Sequence, residues 1–394
     1  MKTTHSGRAL LAGVLLLAAC GRDGARGSGT VRFDTTGTTV TVSNPERGSW
    51  TDATAWKATE EHRIGKMDGG GPEQLAAPVA LEVDRLGRLY VLDAQASEVR
   101  VFGADGRHVR SFGRSGGGPG ELRQPIGMLL DPAGHLWVVD PGNARYSVFD
   151  TTGALRAVHR RDQGFSMLPW PGAFDREGRL YDAINVARGP KLEPALLRFD
   201  PRTGRGDTLA LPVFRGDEFT AATRGGSVSA GVPYSPTLVW TLGSRGDMWS
   251  GVSDRYRIRH HRLGGDTLRV VEREAAPVPV SAAERDSLPV RLKWFTDQGG
   301  KLDLSRVPDA KPPFVSIHPD DEGNLWVRPS APAGERSTPL DVFDPEGVYL
   351  GRVVLPAFIP EGMPMVVRGG AIHALVLGEG DVPQIVKFRV RKGR

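Results

Sequence analysis

Gly69-Gly70-Gly71-Pro72-Glu73-Gln74-Leu75 returns 47 residues later as Gly116-Gly117-Gly118-Pro119-Gly120-Glu121-Leu122. The same offset carries Pro78 to Pro125, Asp84 to Asp131, Gly87 to Gly134, Leu89-Tyr90-Val91 to Leu136-Trp137-Val138, Asp93 to Asp140 and Phe102 to Phe149. Self-similarity at a fixed period of a few tens of residues is the signature of a repeat architecture, so one structural unit has been duplicated.

Inside the unit, β-branched and aromatic runs over 79–83, 89–92, 99–102 and 109–112 alternate with turn residues, Asp-x-x-Gly first and Asp105-Gly106 last. Four short runs punctuated in this way predict an antiparallel meander, the blade of a propeller. The turn-then-strand signature Gly-x-apolar-aromatic returns at Gly178-Arg179-Leu180-Tyr181, Gly246-Asp247-Met248-Trp249 and Gly323-Asn324-Leu325-Trp326, with a degenerate copy at Gly370-Ala371-Ile372-His373. The expected fold class is therefore all-β, a six-bladed β-propeller of four-stranded antiparallel blades spanning 60–394. The last unit stops at its third strand, over 385–388. The segment 60–64 is expected to supply the fourth, so that N- and C-terminal strands close the ring and remove a free edge.

Two intervals between repeats are long, and they place insertions at about 212–239 and 277–313. Ser281-Ala282-Ala283-Glu284 in the second is a capping-box pattern that opens a short helix. Insertions in repeat proteins fall on one face, often the binding face.

The chain opens with Lys2 and Arg8, an apolar run over 9–17, and Ala18-Ala19 before its single cysteine, Cys20. Charge, a short apolar core and small residues in that order make a secretory signal over 1–19, too short to span a bilayer as a helix. Leu17-Ala18-Ala19-Cys20 resembles the lipobox of bacterial lipoproteins. The resemblance implies cleavage before Cys20, a diacylglycerol on its thiol and an acylated (palmitate-type) amino terminus. A flexible tether follows over 20–30, rich in glycine, then an extension over 31–59. The implied location is the cell envelope, lipid-anchored, with the outer membrane favoured because glycine and not aspartate follows the cysteine. With one cysteine there are no disulfides or thiolate metal sites.

The formal charge of +5 is carried by arginines scattered among acids. Nucleic-acid binders concentrate such charge on one element, so no nucleic-acid partner is expected.

The run from Gly116 to Phe149, with Asp-x-x-Gly-x-apolar-aromatic-Val followed by Asp140, Asn143 and Arg145, resembles the NHL-repeat six-bladed propellers. That resemblance implies a binding scaffold without fixing one activity. Asp93, Asp140, Asn143 and Arg145 read as ties of the turn between second and third strands. The glycine-rich segments precede strands, not helices, and read as blade connectors. The histidines show no metal-ligand spacing, and His135 and His318 are expected at the surface. Calcium-dependent lactonase-like propellers often carry Pro-Asn-Gly where this chain has Pro78-Val79-Ala80 and Pro125-Ile126-Gly127. No metal, cofactor or catalytic residue is therefore assigned.

Trp170, Trp240 and Trp294, with Arg224 and Arg291, fall in or beside the irregular segments. They are the candidate binding anchors, since aromatic and arginine side chains bring large area and several donors. The expected function is that of a membrane-tethered, noncatalytic binding or scaffolding propeller whose partner is an envelope protein or glycan. The alternative is a calcium- or zinc-dependent hydrolase or lyase of the lactonase or amidating-lyase type.

Overall fold

The computed structural model describes residues 29–161, 169–188, 191–224, 226–243 and 245–393. The signal over 1–19 and Cys20 lie outside the described residues.

Six antiparallel sheets follow one another along the chain. Blade 1 is Pro78–Val83, Leu89–Asp93, Glu98–Phe102 and His108–Phe112; blade 2 is Gly127–Leu130, Leu136–Asp140, Arg145–Phe149 and Leu155–Arg160. Blade 3 is Ala173–Phe174, Leu180–Arg188, Lys191–Asp200 and Arg205–Ala210; blade 4 is Leu238–Gly243, Asp247–Val252, Arg257–Arg262 and Thr267–Arg273. Blade 5 is Phe314–Pro319, Leu325–Pro329, Thr338–Phe343 and Tyr349–Leu355. Blade 6 has Met365–Arg368, Ala371–Leu377 and Pro383–Arg391, and its fourth strand is Lys57–Ile64 from the other end of the chain.

Each blade presents apolar residues on both faces, and each interface between neighbours holds its own buried cluster. Leu122, Met128 and Val138 meet Tyr90 and Val99 between blades 1 and 2, while Leu340, Val353, Val376 and Phe388 pack between blades 5 and 6. A sheet that must cover both faces is stable only with a neighbour on each side, which a closed ring provides.

The repeat signature has a local cause. In the turn between first and second strands, Asp84 Oδ1 accepts from the backbone N–H of Leu86 and Arg88, both at 2.9 Å. Asp84 Oδ2 accepts from the Tyr90 hydroxyl at 3.3 Å. Asp131 takes the Trp137 indole N–H at 3.1 Å, Asp175 the Tyr181 hydroxyl at 3.0 Å and Asp320 the Trp326 indole N–H at 2.9 Å. The aromatic six residues after the aspartate thus caps the same carboxylate that shapes the turn. Glycine is required between them because φ is positive there, +75° at Gly87 and +89° at Gly134. Blades 4 and 6 have Gly243 and Val367 in place of the aspartate. Trp249 stacks instead on His260, ring centroids 4.1 Å apart.

The second conserved turn is also structural. Asp140 accepts from the Arg123 N–H at 2.6 Å and from Asn143 Nδ2 at 2.7 Å. Arg145 Nη2 donates to the carbonyls of Gly118 and Glu121, at 2.9 and 2.6 Å, and so fastens the glycine-rich connector to the blade.

The segment before the ring contains a hairpin that the repeat pattern does not predict. Arg32–Thr36 pairs with Thr39–Asn44, which runs parallel to Thr267–Arg273 and extends blade 4 to six strands. Asn44, buried, donates to the Glu272 and Gly347 carbonyls and accepts from the Tyr349 N–H, at 3.0, 2.9 and 2.8 Å. Ser49 and Trp50 then bond to the Tyr349 and Leu350 carbonyls of blade 5, and Trp56 packs 5.8 Å from Trp326. The chain start therefore crosses blades 4 and 5 on its way to completing blade 6.

At the closing strand, Glu61 pairs with Lys387 and Arg389, each at 2.9 Å. These bonds hold its carboxyl at about 2, the Arg389 hydrogen bond acting most strongly.

The two insertions form one cap. Glu218–Thr223 and Gly226–Gly231 make a hairpin. In the second insertion, α1 (Ala282–Arg291) begins with the Ser281/Glu284 capping box, and α2 (Lys293–Asp297) follows. Phe219, Ala230 and Val232 bury against Leu288, Phe295 and Val307, and Arg306 pairs with Asp217.

Phe388 is fully buried in the strand that receives the chain start. Phe388→Ala is expected to cost ~3–5 kcal/mol, measured as a lower midpoint in urea unfolding with an unchanged slope.

Candidate functional site: the central channel

The innermost strands of all six blades line a channel of about 1120 Å³ along the axis. One mouth is ringed by the turns between first and second strands. The other lies among the connections from each blade's fourth strand to the next blade, the same type of connection that carries both insertions.

Two residues before each aspartate turn, the repeat places one side chain per blade in the channel wall: Glu82, Leu129, Ala173, Thr241, His318 and Met365. Burial pushes the Glu82 carboxyl up to about 7, with the Arg368 charge opposing. Burial pushes His318 down to about 4, and the nearby Arg328 charge adds to that. His318 Nε2 lies 2.9 Å from Ser316 Oγ. The expectation that His318 is a surface residue is thus corrected: it closely precedes a turn, but the strand carrying it is innermost. His135 does stand at a turn, 43 % of its side chain exposed, 3.2 Å from Asp131 Oδ2.

The charged lining is mixed, six arginines among nine carboxylates. Arg85, Arg176, Arg245 and Arg368 sit at the turn mouth, and none has an ion pair among the described residues. The aspartates beside them are committed elsewhere, Asp84 and Asp175 to Arg88 and Arg179 as well as to their own turns. Among the described residues no three His, Cys, Asp or Glu side chains converge as metal ligands.

The five anchor candidates separate into two groups. Trp170 and Trp240 line the channel. Trp170 is 8 % exposed, and its indole N–H donates to Asp182 at 2.6 Å. Its ring fills the space over Gly127 and Gly172, where any Cβ would collide with it. Asp182 is itself buried and also accepts from Arg161 Nε and the Tyr146 hydroxyl, at 2.7 and 2.5 Å, so Trp170 is held rigidly. Trp240, on the first strand of blade 4, is partly buried.

Arg224, Arg291 and Trp294 belong to the cap, not the channel. Arg224 is exposed at the hairpin tip. Arg291 donates to the Tyr234 hydroxyl at 3.2 Å. Trp294, 47 % exposed, lies edge-on to Phe295.

Sequence reasoning missed Glu82, Ser316, His318 and Arg328. A signal was present. In repeat register Arg328 stands where blades 1 and 2 have the buried Leu92 and Val139, and Glu82 stands where blade 2 has Leu129.

Solved structures share the fold. A protein of Bacteroides fragilis described as exported aligns over 90% of this chain and 100% of its own, with a TM-score of 0.50 and 12% identity. Virginiamycin B lyase from Staphylococcus aureus aligns over 85% of this chain and 99% of its own, with a TM-score of 0.45 and 11% identity. A gluconolactonase from Xanthomonas campestris aligns over 79% and 87%, with a TM-score of 0.41 and 12% identity. No protein-family model and no curated protein matches the chain. At these identities the likeness concerns fold alone, and the chain is a β-propeller whose chemistry must be argued from its own channel.

The His318 shift sets a pH dependence. Between about 4 and 6.5 the unfolded chain binds a proton at this position that the folded chain does not, so stability rises with pH across that window. NMR titration is expected to place the His318 midpoint near 4, and His318→Gln should flatten the pH dependence of the urea midpoint between those values.

Proposed function

We propose that this protein is a lipid-anchored binding propeller of the bacterial cell envelope that holds its ligand in the central channel without transforming it. The observation that supports binding most directly is the channel itself. It is large enough for a small organic molecule, and it combines indole surface from Trp170 and Trp240 with Arg328, whose guanidinium has no ion pair among the described residues. The resemblance of the repeat to NHL propellers supports a scaffold role. The order of charge, apolar run, Ala18-Ala19 and Cys20 supports export and acylation at Cys20, with the outer membrane as the favoured site. The B. fragilis neighbour described as exported is compatible with that location. The cap, with Trp294, Arg291 and Arg224, is the surface for an envelope protein or glycan partner. The metal-dependent hydrolase or lyase reading would need a ligand set that the described residues do not supply.

Attachment by several acyl chains survives washing, whereas a single chain binds reversibly. Cys20→Ser is expected to leave the fold intact and to move the protein from the membrane fraction to the soluble one in a carbonate wash. Persistence of the variant in membranes would end the lipid-anchor reading. Elemental analysis before and after chelator is expected to show no stoichiometric calcium or zinc, and finding either would restore the hydrolase reading.

A further inference from the structure

Four cationic residues are buried among the described residues: Arg100, Arg161, Arg328 and Lys387. Arg161 is paired with Asp182 at 2.7 Å, Lys387 with Glu61 at 2.9 Å, and Arg100 donates to the Pro72 and Gln74 carbonyls. Arg328, 9 % exposed in the channel wall, has no hydrogen bond or ion pair among the described residues. A buried charge without a partner is costly, and natural proteins pair such groups or reserve them for a ligand.

We propose that Arg328 anchors a binding site for an organic carboxylate whose apolar body lies in the channel. The inference rests on the channel-binding reading above and names its ligand class. The guanidinium is positioned for the task. Its plane has the Phe358 ring 5.6 Å away, an arrangement that fixes an arginine while leaving its N–H edges free. Ser316 is its partner residue on the innermost strand, which puts a hydroxyl and the neutral His318 ring on the same wall. Glu361, exposed on the connection between blades 5 and 6, acts on the Arg328 charge from a distance but makes no ion pair with it.

A single guanidinium fork matches one carboxylate in bidentate geometry. No second cation stands beside Arg328 to neutralise a phosphate dianion, which favours the monoanion. Trp170, Trp240, Met128, Met363 and Met365 supply the apolar lining for the rest of the molecule. The repeat gives an independent indication. Arg328 occupies a core position that blades 1 and 2 fill with Leu92 and Val139, so the blade pattern has no use for a charge there.

The test is titration of the acylated full chain in detergent with phenylacetate and 4-phenylbutyrate, their neutral amides and inorganic phosphate, followed by tryptophan fluorescence and thermal shift. The acids are expected to bind about ten-fold or more tightly than the amides, the scale of one charge-assisted pair. Arg328→Gln should erase that difference while leaving the ligand-free melting temperature unchanged or raised, since it removes an unpaired buried charge. Glu361→Gln should tighten the acids alone. Acids and amides binding equally to the native protein would overturn the carboxylate site and leave the channel reading standing. Absence of binding by either would overturn both. A preference for acids that survives Arg328→Gln, or phosphate competing as well as the acids, would overturn the assignment to Arg328 and to a carboxylate respectively.

Discussion

The ring depends on one antiparallel pairing, between Lys57–Ile64 and Pro383–Arg391. In every other blade the four propeller strands are consecutive in the chain. Only this pairing converts a curved row of sheets, open at both ends, into a closed structure with six equivalent interfaces. Its contacts draw on each kind of force in the molecule. There is a backbone ladder, Ile64 and Phe388 in the apolar clusters on either side, and the Glu61 carboxylate shared between Lys387 and Arg389. Without it, Pro383–Arg391 would be an exposed edge rich in apolar residues, the feature that soluble β proteins avoid.

Much of this was legible in the sequence because the physics is local. The aspartate turn, its glycine and the aromatic that caps it are fixed by hydrogen bonds within seven residues, so the pattern repeats visibly from blade to blade. The closing strand was inferred by counting, since the last blade lacked a fourth member. The hairpin over Arg32–Asn44 escaped, although the alternation Thr39-Val40-Thr41-Val42-Ser43 is a plain strand signal. What it pairs with, Thr267–Arg273, lies more than 200 residues away, and nothing local identifies that partner. The channel was less legible still. Trp170 and Trp240 were singled out for residue type and do line it, whereas Arg224, Arg291 and Trp294 belong to the cap. Two insertions separated by a whole blade gave no sign that they share one small core.

Charge in the channel follows from what the repeat does with its acids. Asp84, Asp131, Asp175 and Asp320 near the turn mouth are held in their turns, each binding backbone N–H groups and an aromatic of its own blade. Burial pushes the Glu82 carboxyl up to about 7, and His318 is uncharged at neutral pH. Arg88 is paired with Asp84, whereas Arg85, Arg176, Arg245 and Arg368 have no ion pair among the described residues. The channel lining is thus mixed in charge, and what sets it apart is Arg328, buried without an ion pair among the described residues, a feature that composition does not disclose.

The course of the chain start has a consequence for when the protein can finish folding. Arg32–Asn44 needs blade 4, Ser49 and Trp50 need blade 5, and Lys57–Ile64 needs blade 6. Each of these segments therefore finds its partner more than 200 residues further along the chain. Contacts of such sequence separation make for slow folding, because loop closure must precede any reward. Blades 1 to 3 can assemble as they emerge, while Arg32–Asn44 waits for blade 4 and Lys57–Ile64 for the last strand of blade 6.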